Sequence, residues 1–185
     1  MVRSNGRTVI PLHSGPGNNQ PRGSTPLTRL AVTADHNGFA LKDRLVAWLR
    51  ARGHEADDRA PAAEGPVDYP PLCEDVCREV LAGRADFALI VGGGGSGEAI
   101  ACNKLAGIRA VACPSVWQSE IARGNNDANV LVVGAKVVDA ELAEQILETW
   151  LATPFKGAEH ALRLAMIAAL ERGESLLSSD LQEGQ

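Results

Sequence analysis

The sequence lacks the features that are typical of membrane proteins and of nucleic-acid-binding proteins. No apolar run reaches the roughly 18 residues of a membrane-spanning helix, because the longest candidate, residues 161–170, contains Arg163. The N-terminus has no apolar core of the kind found in signal peptides. Lys and Arg total 18 against 23 Asp and Glu, and no basic run is long enough to follow a phosphate backbone. We therefore expect a cytoplasmic protein that binds neither membranes nor nucleic acid.

A metal-binding pattern is also missing. The four cysteines are Cys73, Cys77, Cys102 and Cys113. The first two have the i,i+4 spacing of a helix, but no second pair of ligands accompanies them, so all four are interpreted as buried, reduced thiols. The histidines show no H-x-x-x-H spacing. The sequence therefore predicts an enzyme or binding protein that uses neither a metal ion nor a cofactor.

The length and composition predict one globular domain. The chain has 185 residues, of which 45% are hydrophobic, enough to bury a sizeable core without disulfides. Residues 1–28 are rich in Gly, Pro, Asn and Ser and are predicted to form a flexible arm. Residues 29–173 form the predicted domain, and residues 174–185 a polar tail.

Within this domain, short strand-like runs alternate with helical periods. Strands are predicted at RLAVTA, GHEADD, DFALIVG, IRAVAC and NVLVVG. Helical periods are predicted at Leu41, Leu45 and Leu49, and over residues 71–81, 140–151 and 160–172. The third and fifth strand candidates are continuous apolar runs, as expected for strands covered on both faces. The fold class is therefore α/β, a Rossmann-like three-layer α/β/α sandwich with a five-stranded parallel sheet.

The segment LIVGGGGSGEAIACNK, residues 89–104, combines a strand, a glycine loop and the start of a helix. Its loop residues are Gly93, Gly94, Gly95, Ser96 and Gly97. A dinucleotide site is disfavoured because the glycines do not follow the first strand and no acidic residue lies about 20 positions later. A nucleotide P-loop is excluded because Glu98 and Ala99, rather than Lys and Ser or Thr, follow the last glycine. The remaining interpretations are an oxyanion site with Glu98 as a base and a glutamate that only favours the helix dipole. Loop spacing alone leaves both open.

The first predicted strand places polar residues at the same edge of the sheet. It ends in TADHNGFALK, so Asp35 and His36 follow the strand directly. Alone, Asp35 could cap a helix and His36 could be an ordinary loop histidine. Together with the glycine loop they supply groups that bind hydroxyls and move protons.

Several motifs resemble one family in order and in sequence. They are ADHNGFALK, the DYP at residues 68–70, GGGGSGEAIACNKLAGIRA, NNDANVLVVGAKVV and TPFKGAEH with a following Arg. The chain resembles the type B ribose-5-phosphate isomerases and their galactose-6-phosphate isomerase relatives from residue 30 to about residue 172. This resemblance implies interconversion of an aldose phosphate and a ketose phosphate through a cis-enediolate, without a metal. It also implies active sites built between two subunits. A homodimer, which could pair into a tetramer, is further predicted by the apolar face of the terminal helix, formed by Leu162, Ala165, Met166, Ala169 and Leu170.

The resemblance also implies roles for individual residues. In one branch of the family the base is a cysteine at the position of Gly92, and in another it is a glutamate at the position of Glu98, which is therefore the expected base here. The amides of the glycine loop would stabilise the enediolate. The other implied roles are hydroxyl binding by Asp35 and Tyr69, polarisation of the reacting end by Asn126, and phosphate contacts by His36, His160 and Arg163.

Four positions depart from the family pattern. Gly94 replaces Ser or Thr, Asn125 replaces a ring-opening histidine, and Lys136 and Glu159 each replace a phosphate-binding arginine. We therefore expect intact proton-transfer machinery with an altered substrate pocket, in which Asn125 and Lys136 still contact the sugar phosphate. The substrate is expected to be a four- or five-carbon sugar phosphate, of the erythrose 4-phosphate or ribose 5-phosphate type. The alternative is a non-catalytic paralogue that binds a sugar phosphate as a sensor or subunit partner, against which the retained Glu98 argues.

Overall fold

The computed structural model describes residues 27–62 and 65–177, in which strands and helices alternate. The strands are β1 (Arg29–Ala34), β2 (Glu55–Asp58), β3 (Phe87–Gly92), β4 (Ala110–Ala112) and β5 (Val130–Gly134). The helices are α1 (Phe39–Ala51), α2 (Tyr69–Leu81), α3 (Ser96–Cys102), α4 (Val116–Gly124), α5 (Ala140–Ala152) and α6 (Glu159–Glu171). The predicted N-terminal arm lies outside the described residues except for residues 27 and 28, as does the tail beyond residue 177.

The five strands form one parallel sheet with the order β2-β1-β3-β5-β4. Helices α1, α4 and α5 pack their apolar residues on one face of this sheet, and α2 and α3 pack theirs on the other. The predicted three-layer α/β/α sandwich is therefore confirmed. The central strands β3 and β5 are buried along nearly their whole length, which explains why they were readable as continuous apolar runs.

The structure differs from the sequence prediction at several element boundaries. Helix α2 starts at Tyr69 rather than residue 71, because Pro70 and Pro71 occupy the first turn, where a missing N–H breaks no helical hydrogen bond. Helix α4 was not predicted. Its buried positions are Ser119, Ala122, Arg123 and Gly124, which are small or polar and give no apolar period.

Helix α6 differs from the other long helices because none of its residues is buried by the described part of the chain. Its exposed apolar side chains are Leu162, Met166, Ile167 and Leu170. Across the described part of the chain, no helix is both long and apolar enough to cross a bilayer.

Candidate active site

The candidate site lies where strands β1 and β3 end side by side. Their connections leave toward opposite faces of the sheet, which is the switch point where open α/β sheets bind ligands. The Asp35 amide donates to the Val91 carbonyl at 3.2 Å, so the residue after β1 sits beside the last residues of β3. The glycine loop then runs from β3 into α3, and Gly92 pairs with Gly134 at the end of β5.

Glu98 is buried beneath this loop, with only 5% of its surface exposed. Its side chain folds back over the end of β3, because a Cβ atom added to Gly92 would lie only 1.8 Å from Glu98 Oε1. The carboxylate thus occupies the volume in which any side chain at position 92 would begin. Within residues 27–62 and 65–177, no hydrogen bond or ion pair engages this carboxylate, so its oxygens remain available to a ligand.

Tyr69 approaches the same loop from the start of α2. A Cβ atom added to Gly97 would lie 2.7 Å from Tyr69 Oη, so only glycine leaves room for the phenol at this position. On the other side, the Lys136 amide donates to the Gly93 carbonyl at 3.0 Å and fixes the loop against the residues that follow β5. The loop carbonyls that face β5 are thereby occupied, whereas the amides in the first turn of α3 have no intrahelical partner.

Asp35 is held by a small network that includes a residue the sequence reasoning missed. Its Oδ1 accepts from the amides of Asn37 at 2.8 Å and Gly38 at 3.2 Å, and its Oδ2 accepts from Asn37 Nδ2 at 3.2 Å. Asn37 Nδ2 also lies 3.1 Å from His36 Nε2, while the Val67 amide lies 3.3 Å from His36 Nδ1. The motif contained Asn37, but an asparagine before a turn glycine gave no separate signal.

The residues at this edge of the sheet are called the carboxyl-edge group. It comprises Asp35, His36, Tyr69, Gly93, Gly94, Gly95, Ser96, Gly97, Glu98 and Lys136.

The remaining candidates lie at the opposite edge. Asn125 caps the end of α4 and Asn126 follows it, so both precede β5, which begins at Val130. The Asn126 carbonyl accepts from Nε of Arg109, the residue before β4, at 3.2 Å. Since β5 alone spans about 13 Å at the usual rise per residue, a single chain does not bring Asn126 to Glu98.

Lys156, which precedes α6, and two residues of its first turns complete this second set, the amino-edge group. It comprises Asn125, Asn126, Lys156, His160 and Arg163. Lys156 was not anticipated, and its Nζ donates to Asn125 Oδ1 at 3.0 Å. Arg163 Nη1 lies 3.4 Å from His160 Nδ1, and Glu159 Oε1 lies 4.0 Å from His160 Nε2. The negative charge of Glu159 therefore faces a histidine rather than an arginine.

The four cysteines are free and buried, as predicted. Burial raises the pKa of the Cys113 thiol to about 12, which keeps it protonated. The neighbouring Cys73 and Cys77, together with burial, raise the pKa of Cys102. These thiols therefore pack as small apolar groups.

Comparison with known proteins places this geometry in context. The profile described as ribose/galactose isomerase matches residues 30–167. The chain belongs to this family. It is 38% identical over 146 residues to ribose-5-phosphate isomerase B of Escherichia coli, an alignment that covers 79% of this chain and 98% of the relative.

Solved structures of family members have the same fold. A ribose-5-phosphate isomerase B from Clostridium thermocellum superposes with a TM-score of 0.77 and 36% identity, covering 80% of this chain and 99% of the other. The ribose 5-phosphate isomerase from Thermotoga maritima gives a TM-score of 0.74 and 37% identity, covering 76% and 97%. As a family member matched over nearly the full length of these relatives, the chain is an aldose–ketose isomerase. The alternative of a non-catalytic paralogue gains no support from them.

Proposed function

We propose that this enzyme interconverts a small aldose phosphate and its ketose phosphate through a cis-enediolate. The observation that carries this proposal is the Glu98 carboxylate, which is buried beneath the glycine loop and engages no other described residue. A site that only bound an anionic sugar phosphate would gain nothing from a negative charge at this position. A proton-transfer site requires such a group within reach of the substrate carbon.

We assign to the carboxyl-edge group the roles that the family resemblance implies. Glu98 removes the proton from C2 of the aldose, electrons move toward the C1 carbonyl oxygen, and an enediolate forms. Loop amides stabilise the oxygen on which negative charge develops. A proton passes from the C2 hydroxyl to O1, the electrons left on O2 form the C2 carbonyl, and Glu98 returns its proton to C1, which gives the ketose. Asp35 and Tyr69 hold the substrate hydroxyls, and His36 faces the phosphate.

The amino-edge group reaches a substrate only through a second copy of the chain. Asn126, His160 and Arg163 are separated from Glu98 by the length of the sheet, and residues 27–62 and 65–177 leave the apolar face of α6 uncovered. A two-fold dimer that buries this face can place the amino-edge group of one subunit beside the carboxyl-edge group of its partner. Each active site would then use residues of both subunits.

A shared site predicts complementation between two inactive variants. Glu98→Gln disables the carboxyl-edge group and Arg163→Ala disables the amino-edge group, yet a mixed dimer of the two contains one fully intact site. Random pairing is expected to restore about a quarter of wild-type activity. The measurement is the isomerase rate after the two purified variants are unfolded and refolded together, with the assembly state checked by sedimentation.

Glu98→Gln mixed with Asp35→Ala is the matched control, because both changes fall in the same group and no intact site can form. Absence of recovery in the first mixture, or an active monomer, would contradict the shared site.

The replacement at Asn125 bears on the size of the sugar. A five-carbon aldose 5-phosphate closes through its O4 hydroxyl, and opening that ring is helped by a group that titrates near neutrality, as histidine does and an asparagine amide does not. In this chain position 125 carries an amide instead of an imidazole, and its Oδ1 accepts from Lys156 Nζ. A tetrose 4-phosphate cannot form a five-membered ring, since its terminal oxygen carries the phosphate. We infer a preference for an open four-carbon substrate.

This preference can be measured with four-, five- and six-carbon aldose and ketose phosphates in heavy water containing a chelator. We expect the substrate to be turned over with incorporation of deuterium, and the chelator should not lower the rate. The kcat/KM for erythrose 4-phosphate should be higher than that for ribose 5-phosphate. Asn125→His should raise kcat/KM for ribose 5-phosphate about tenfold and leave that for erythrose 4-phosphate unchanged. A wild-type enzyme that favours ribose 5-phosphate would reject the four-carbon assignment, and rescue of activity by a divalent ion would reject metal independence.

A further inference from the structure

Asn37 occupies the centre of the carboxyl-edge group without an assigned role. Its side-chain amide contacts three parts of the site. Nδ2 lies 3.2 Å from Asp35 Oδ2 and 3.1 Å from His36 Nε2. A Cβ atom added to Gly93 would lie 3.3 Å from Asn37 Cγ, so the same side chain packs against the glycine loop.

Asn37 Nδ2 is the only side-chain donor that the described residues offer to the Asp35 carboxylate. The other two donors, the amides of Asn37 and Gly38, both bind Oδ1. Oδ2 is therefore held by Asn37 Nδ2 alone. Because a carboxylate held at both oxygens has a fixed plane, Asn37 determines the direction in which Asp35 presents its remaining lone pairs.

The contact with His36 is incompatible with the second contact of that ring. A neutral imidazole has one acceptor nitrogen, but Asn37 Nδ2 faces Nε2 and the Val67 amide faces Nδ1, so two donors compete for one acceptor. The Asn37 contact is the shorter of the two, and its second hydrogen is committed to Asp35. Donation by Asn37 leaves the ring proton on Nδ1 and gives up the longer bond that the Val67 amide donates to Nδ1, whereas keeping the Val67 bond would leave the proton on Nε2.

We propose that Asn37 is a positioning residue of the isomerase, whose amide orients the Asp35 carboxylate and selects the Nδ1–H tautomer of His36. It acts through these two neighbours and takes no part in the proton transfer. The inference rests on the proposed roles of Asp35 and His36 in binding the substrate.

Two substitutions separate positioning from space filling. Asn37→Leu keeps nearly the same shape beside Gly93 but removes the NH₂ donor, and Asn37→Ala removes both. If the donor matters, both variants should lose about tenfold in kcat/KM, mainly through KM, because the affected residues bind substrate. If Asn37 only fills space, Asn37→Leu should match the wild type.

The tautomer of His36 supplies a measurement that does not depend on activity. Nitrogen chemical shifts of the ring, assigned with a His36→Gln variant and recorded about two pH units above the ordinary imidazole pKa, distinguish Nδ1–H from Nε2–H. We expect Nδ1–H in the wild type and Nε2–H in both Asn37 variants, where Val67 is the remaining donor. A wild-type ring already in the Nε2–H form, or variants that keep Nδ1–H, would overturn the inference. Loss of the proposed function itself would instead appear as unchanged turnover in Glu98→Gln.

Discussion

Glu98→Gln is expected to lower kcat for isomerisation by at least about a hundredfold, the low end of what a general base contributes. Glutamine has nearly the same shape as glutamate but cannot accept the C2 proton. The change should be tolerated by the fold, because the carboxylate forms no ion pair or hydrogen bond among the described residues that the substitution would break. The measurements are the isomerase rate, deuterium exchange at C2 in heavy water, and the thermal midpoint of unfolding.

Glu148→Gln provides the matched control. Glu148 lies on the exposed side of α5, so this substitution removes the same charge far from the glycine loop. Its rate should equal that of the wild type. Deuterium exchange at C2 that persists at the wild-type rate in Glu98→Gln would show that another group is the base.

Gly92→Ala is expected to reduce activity about a hundredfold although it adds a single methyl group. That carbon would lie 1.8 Å from Glu98 Oε1 and 2.3 Å from Cδ, so the carboxylate has to move by more than about 1 Å, a displacement that costs on this order in rate. The overlapping atoms are the end of a flexible side chain without a hydrogen-bond partner among the described residues, so we expect the fold to lose little stability. Steady-state kinetics and thermal unfolding of the same preparation measure the two effects.

The same geometry predicts that a cysteine base at position 92 and a glutamate base at position 98 exclude each other, because both need the same volume. Gly92→Cys alone should be as impaired as Gly92→Ala, whereas Gly92→Cys combined with Glu98→Ala vacates the volume that the thiol needs. We expect the double variant to be more active than either Gly92→Cys or Glu98→Ala, with activity rising toward the ordinary thiol pKa of about 8.5. Wild-type activity in Gly92→Ala, or a double variant no better than the single ones, would contradict this account.

The sequence was informative where one physical requirement controls residue choice. Strands β3 and β5 are covered on both faces, so their positions are continuously apolar and readable. The same logic fails for α4, which packs through Ser119, whose hydroxyl donates to the Ile146 carbonyl, and through Arg123, whose guanidinium stacks on Phe87. A helix buried through such side chains has no apolar stripe to detect.

The candidate site could be predicted in composition but not in arrangement. The motifs, taken in order, identified Glu98, Asp35 and Tyr69 as candidates. The same motifs grouped Asn126 with them, whereas the structure places Asn126 before β5, at the other end of the sheet. What the sequence could not show is the folding back of Glu98 over Gly92, because that depends on a side-chain conformation. For the same reason, neither the Asn37 bridge nor the contact between Lys156 and Asn125 was visible.

If the proposed dimer covers helix α6, the folding of this helix depends on the concentration of the chain. The described residues bury none of the 13 positions of this helix, and isolated helices of this length are marginal in water. In the proposed dimer the partner subunit would supply this order, so dilution below the dissociation constant of that dimer would unfold the helix and displace both His160 and Arg163. Specific activity would then depend on how much enzyme is present, so the cell could lower flux through this step more than proportionally by making less of the protein.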